Sequence, residues 1–138
     1  MCEPLALVLG EDDIRALVPH PAWDTNKYAR GTVGVVGGSA AYPGAPILAA
    51  SAAARCGAGY VRLVTTSGAT ACAYAHLLSI PVSACDQGIW GTLCATSAIQ
   101  AAQDLAKSDV ILVGPGMGTS DDSERFLEAL SQDRPMVF

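Results

Sequence analysis

Two glycine-dense stretches carry the clearest chemistry in this chain. The first is Gly37-Gly38-Ser39, continued by Tyr42-Pro-Gly-Ala-Pro46. The second is Gly114-Pro-Gly-Met-Gly118. Glycine lets the backbone come close to a ligand, because no Cβ blocks approach and a positive φ costs little. Backbone amides in such a loop can hold the oxygens of a small molecule without any charged side chain. Neither stretch is G-x-G-x-x-G, and no G-x-x-x-x-G-K-[ST] occurs. The usual dinucleotide fingerprint and the P-loop are therefore both unsupported.

Lys27-Tyr28-Ala29-Arg30 is the densest basic cluster in an otherwise acidic chain. Lys27, Tyr28 and Arg30 could bind a phosphate, or could form a solvated loop or a subunit contact. Residues 119–124, Thr-Ser-Asp-Asp-Ser-Glu, read as N-cap chemistry. Asp121, Asp122 and Glu124 then compete with any phosphate for the positive end of the helix that follows. The second glycine loop is expected to pack against an uncharged part of a ligand. No catalytic set is visible. Ser39, Ser51 and Cys56 lack an identifiable base, and His76 falls in a short apolar helix. Asp86 and Asp109 flank apolar segments and read as end caps.

The elements that must position these loops follow from periodicity. Apolar runs predict strands over 33–36, 60–66, 78–82, 110–113 and 135–138, with Pro81 making the third an edge or irregular strand. Helices are predicted over 11–17, 46–56, 69–77, 93–107 and 123–130. Pro46 suits a first helical position and Gly57 a C-terminal cap, while Thr92 or Thr96 could cap the fourth helix. Pro19 and Pro21 imply an extended connector. The alternation predicts an α/β fold of three layers around a mostly parallel sheet. Residues 1–10 read as irregular and 11–138 as part of one domain. The last predicted strand has no crossover after it. The expected sheet is therefore incomplete, and the chain reads as the N-terminal part of a longer domain.

Composition narrows the function classes. The chain has 138 residues, a net charge of −5, 51% hydrophobic residues and 6% aromatics. The acidic balance argues against nucleic acid and against an anionic membrane surface. Five cysteines without C-x-x-C spacing, and two distant histidines, predict no metal site. Reduced thiols point to a cytoplasmic setting. Residues 5–9 lack a basic lead and read as no signal peptide. The alanine-rich run ends at Arg55, short of a membrane span.

In this order and spacing the motifs resemble the ADP/ATP-dependent (S)-NAD(P)H-hydrate dehydratase family, of the ribokinase-like carbohydrate kinase fold. The resemblance rests on Lys27-Tyr28-x-Arg30-Gly31-x-Val-x-Val-Val-Gly-Gly-Ser39, on Tyr42-Pro-Gly-Ala-Pro46, on Arg55-x-Gly-Ala-Gly-x-Val61 and on Val113-Gly-Pro-Gly-Met-Gly118. It implies a lyase for nicotinamide cofactor repair, acting on hydrated NADH or NADPH (NADHX, NADPHX). It implies ADP or ATP with Mg2+ as cofactors and a homo-oligomer, a tetramer in the family.

The resemblance also assigns positions. Ala45 and Gly116 would contact the hydrated dinucleotide, with Gly38, Tyr42, Gly44 and Met117 as weaker candidates. The family's Gly-Thr-Gly-Asp segment, whose Asp is the catalytic base, and its Lys-Gly nucleotide strand lie in the C-terminal half. Neither segment occurs in this sequence, so no catalytic residue is expected here and the chain alone should be inactive. The alternatives are a sugar or vitamin-precursor kinase of the same fold and a non-catalytic nucleotide-binding module.

Overall fold

The computed structural model describes residues 8–18, 20–130 and 134–138. Pro19 and residues 1–7 of the expected irregular N-terminus lie outside the described residues. Among the described residues, five α-helices and five strands alternate along the chain. They are α1 (Glu11–Leu17), β1 (Thr32–Val36), α2 (Gly44–Arg55), β2 (Tyr60–Thr66) and α3 (Ser67–His76). These are followed by β3 (Val82–Cys85), α4 (Ala98–Asp104), β4 (Val110–Val113), α5 (Asp121–Ala129) and β5 (Met136–Val137). All strand pairs are parallel, in the order β3-β2-β1-β4-β5. The expected α/β architecture is what the chain forms.

A parallel sheet must be covered on both faces, and the strand residues alternate accordingly. On one face Val35, Val61 and Leu63 pack with Ile47 and Ala50 of α2 and Ala73 of α3. On the other, Val36, Val64, Ile111 and Val113 pack with Ala98 and Ala101 of α4 and Phe126 of α5. Gly34 sits inside β1 because Leu105 and Ser108 occupy the space a Cβ would need. The small side chains of α2 let that helix lie close to the sheet. Gly57 terminates it as expected: at φ +103° it donates to Ala54, and Ala58 donates to Ala53.

Most element boundaries shift by one or two residues from the sequence reading, and three of the differences have a local physical reason. The third strand is Val82–Cys85, not 78–82. Pro81 has no N–H to give a ladder, so it stands just before the strand, where its carbonyl accepts from Leu63 at 3.0 Å. The strand is nonetheless an edge strand. The predicted helix over 93–107 is a 3-10 turn, Ala95–Ser97, leading into the shorter α4. Ser97 bonds back to Cys94, and neither Thr92 nor Thr96 caps the helix. Helix α2 begins at Gly44, which places Pro46 inside the first turn, where amides need no helical partner.

Candidate functional site

The strand order creates a crevice. Strands β1 and β4 are neighbours, yet α2 after β1 covers one face and α5 after β4 covers the other. Where connections diverge in this way, the carboxyl ends of the two strands leave an opening that suits a ligand. Both glycine loops of the sequence lie at this point, one after each strand.

The loops are joined directly. Gly38 donates its amide to the Pro115 carbonyl at 2.8 Å. The Ser39 hydroxyl, 2% exposed, donates to the Gly116 carbonyl at 2.9 Å. It also accepts from the Tyr42 amide at 3.2 Å. Gly116 has φ +70°, and an added Cβ would stand 2.6 Å from the Tyr42 carbonyl oxygen and 3.0 Å from Ala45 Cβ. Ala45 and Gly116, predicted from stretches far apart in sequence, thus meet in space. Gly38 has φ +85°, and Thr65 Oγ1 and the Pro46 ring stand where an added Cβ would go. Tyr42 is exposed, Gly44 lies in the first turn of α2, and Met117 is buried in the core beneath the second loop.

The two helix ends at the crevice differ electrostatically. The first turn of α2 carries no acidic residue and no side-chain cap. The first turn of α5 carries Asp121, Asp122 and Glu124, and Ser120 caps it by accepting from Ser123. Three carboxylates at that end oppose a polyphosphate. No group of three or more His, Cys, Asp or Glu side chains among the described residues could hold a metal ion. The acidic start of α5 therefore does not suit the phosphates of ADP or ATP.

A third element borders the crevice, and the sequence reading missed it. Residues 86–93 form a tight antiparallel turn, with a Gln87–Leu93 bridge. Gly88 donates to Thr92 and Gly91 to Gly88, each at 2.9 Å. The paired glycines Gly88 and Gly91 were the available signal. Two buried hydroxyls were also missed: Thr65 Oγ1 and Thr66 Oγ1, at the carboxyl end of β2, have no hydrogen-bond partner among the described residues.

Lys27, Tyr28 and Arg30 lie at the opposite end of the sheet, before β1. Lys27 Nζ sits 5.1 Å from the Tyr28 ring centre and 5.4 Å from that of Tyr60. Tyr28 and Tyr60 also line a cavity of about 310 Å3 together with Arg62, Asp104 and Lys107. Arg62 and Asp104 pair at 3.2 Å in the wall of that cavity. Asp109 serves structure: its carboxylate accepts from the Thr32 amide at 2.8 Å and the Thr32 hydroxyl at 2.7 Å. These bonds hold its pKa below the ordinary value. His76 is exposed on α3, with Nδ1 2.9 Å from the Cys72 carbonyl oxygen.

Known proteins resemble this chain in sequence and in fold. The chain is 36% identical over 127 residues to the bifunctional NAD(P)H-hydrate repair enzyme Nnr of Salinibacter ruber, a match covering 90% of this chain and 23% of that protein. The chain thus spans about a quarter of the length of the curated relative. Its fold is that of a ribokinase-like superfamily protein from Enterococcus faecalis, with TM-score 0.76 and 22% identity over 93% of this chain and 43% of the other. The ADP/ATP-dependent NAD(P)H-hydrate dehydratase from Bacillus subtilis, crystallised with ATP and Mg2+, superposes with TM-score 0.71 and 22% identity, covering 92% of this chain and 43% of its own. The family model of NAD(P)H-hydrate dehydratase matches residues 33–138, from β1 through both glycine loops to β5. By that match the chain belongs to the NAD(P)H-hydrate dehydratase family.

Proposed function

We propose that this chain supplies one wall of the (S)-NAD(P)H-hydrate site in an ADP- or ATP-dependent dehydratase, a carbon–oxygen lyase that repairs hydrated nicotinamide cofactors. The observation that carries this reading is the contact of Gly116 with Ala45 and Tyr42 at the β1–β4 crevice. Ala45 and Gly116 offer no side chain larger than a methyl, so a ring can lie directly on the backbone. The Gly116 and Gly118 amides donate to no protein acceptor among the described residues and can hold a ligand's oxygens. Gly38, Tyr42 and Gly44 continue this surface, and Met117 supports it from below.

The wall binds, orients and excludes water. No elimination step is assigned to its residues. ADP or ATP and Mg2+ belong, in this reading, to polypeptide beyond the residues matched here, together with the catalytic base. Lys27, Tyr28 and Arg30, remote from the crevice, are read as a subunit contact within a homo-oligomer, a tetramer as in the family. The described cysteines are all free, which supports a reducing, cytoplasmic setting.

Calorimetric titration tests the reading. The chain should bind (S)-NADPHX and should not turn it over with ADP or ATP. Binding of sugars or vitamin precursors in preference to the hydrate would favour a kinase instead. ATP-dependent dehydration by this chain alone would show that the base lies within it.

A further inference from the structure

The turn over residues 86–93 holds Ile89 and Trp90 at its tip, 91% and 70% exposed. Its base is anchored to both glycine loops. The Gly91 carbonyl accepts from the Ala40 amide at 2.9 Å, and an added Cβ on Gly91 would stand 2.8 Å from Ala40 Cβ. Thr92 Oγ1 meets Ser120 Oγ at 2.9 Å, and Thr92 Cγ2 lies against Gly118. Gly88 packs against the Asp122 carboxylate. Gln87 Oε1 accepts from the Gly68 amide at 2.9 Å. The tip thus stands between an anchor on the β1–α2 loop and an anchor at the start of α5. The two-residue apolar tip therefore stands on a well-anchored base and borders the crevice already described.

We propose that Trp90 is a substrate-contacting residue of this site, stacking its indole on the adenine ring of the hydrated dinucleotide. The inference rests on the function proposed above. Indole is a large flat surface with few rotatable bonds, so holding it in place costs little entropy. Adenine is flat throughout, whereas hydration places a tetrahedral carbon in the nicotinamide ring and leaves that ring puckered. Adenine is therefore the better partner for stacking. The glycine wall, without side chains, suits the puckered ring.

Trp23 is the only other tryptophan and lies in the segment leading to β1 at the far end of the sheet. In the full chain carrying Trp23→Phe, Trp90 is the sole indole. Saturation with (S)-NADPHX should quench its fluorescence. Trp90→Ala should raise the hydrate Kd about tenfold, and Trp90→Phe should retain most of the affinity. The hydrate of reduced nicotinamide mononucleotide, which lacks adenine, should bind Trp90→Ala and the parent chain equally. If calorimetry shows hydrate binding while Trp90 emission and Trp90→Ala affinity are unchanged, the stacking is overturned and the proposed function stands. Equal weakening toward the mononucleotide hydrate would make Trp90 structural and overturn it too. A change only in mass by light scattering would assign the tip to a contact between copies, against the proposal. Absence of hydrate binding to the parent chain would overturn both readings.

Discussion

The Ser39 hydroxyl donates to the Gly116 carbonyl at 2.9 Å and so ties together two loops whose residues are 77 positions apart in the chain. Ser39 is buried, so removing the hydroxyl leaves the Gly116 carbonyl with one partner fewer. Ser39→Ala should cost about 1 kcal/mol of stability. It should also weaken hydrate binding several-fold, because the wall loses the bond that fixes its two halves. Urea unfolding and calorimetry on the same variant check both effects.

Gly116 cannot carry a side chain in this position. Its φ of +70° is strained for any L-residue, and an added Cβ would meet the Tyr42 carbonyl at 2.6 Å. Gly116→Ala should lose about 1–3 kcal/mol. Hydrate binding should fall below detection even at temperatures where the variant remains folded by circular dichroism. Gly114→Ala is the control. It has φ +107° but nothing near its added Cβ, so it should lose stability and keep more of the binding.

Much of this arrangement was legible in the residues. The β-branched runs at 33–36 and 110–113 marked β1 and β4, and the glycines after them marked the crevice. What spacing could not supply was the strand order that makes β1 and β4 neighbours, which depends on tertiary packing. The misplaced third strand has a local cause. Pro81 falls within an apolar run of the sequence, but its missing N–H puts it before the ladder. The turn carrying Trp90 is hidden in the sequence because Leu93, which pairs with Gln87, also continues the apolar pattern of the helix after it. Its glycine pair forms hydrogen bonds that hydrophobic periodicity does not record.

Asp109 gives a pH signature. Its bonds to the Thr32 side chain and backbone hold the folded pKa below the ordinary 3.8, with a smaller contribution from Arg134. A depressed carboxylate pKa means that the ionised form favours folding. This stability is complete above the unfolded pKa and is lost as pH falls through the folded one. Urea midpoints measured from about pH 5 down to about pH 2 should fall more steeply in the parent chain than in Asp109→Asn.

The thiols should react in a fixed order. Burial, with lesser contributions from Asp104, Asp86 and Cys94, pushes the Cys85 thiol up to about 11. Hydrogen bonding with Thr96 and Ser97 lowers that of the half-buried Cys94. The thiolate is the reactive form, so iodoacetamide at neutral pH should label Cys94 well before Cys85. Peptide mass spectrometry over a time course reads the order directly, and equal rates would contradict the packing around Cys85.

The most direct test of the central claim is amide chemical-shift mapping of the chain during titration with (S)-NADPHX. Perturbations should gather at Gly38, Ser39, Tyr42, Gly44 and Ala45, and at Gly116 and Met117 across the crevice. The amides of Lys27, Tyr28 and Arg30 should stay still. Shifts confined to the Tyr28, Tyr60 and Arg62 cavity, with the two glycine loops unmoved, would contradict the account.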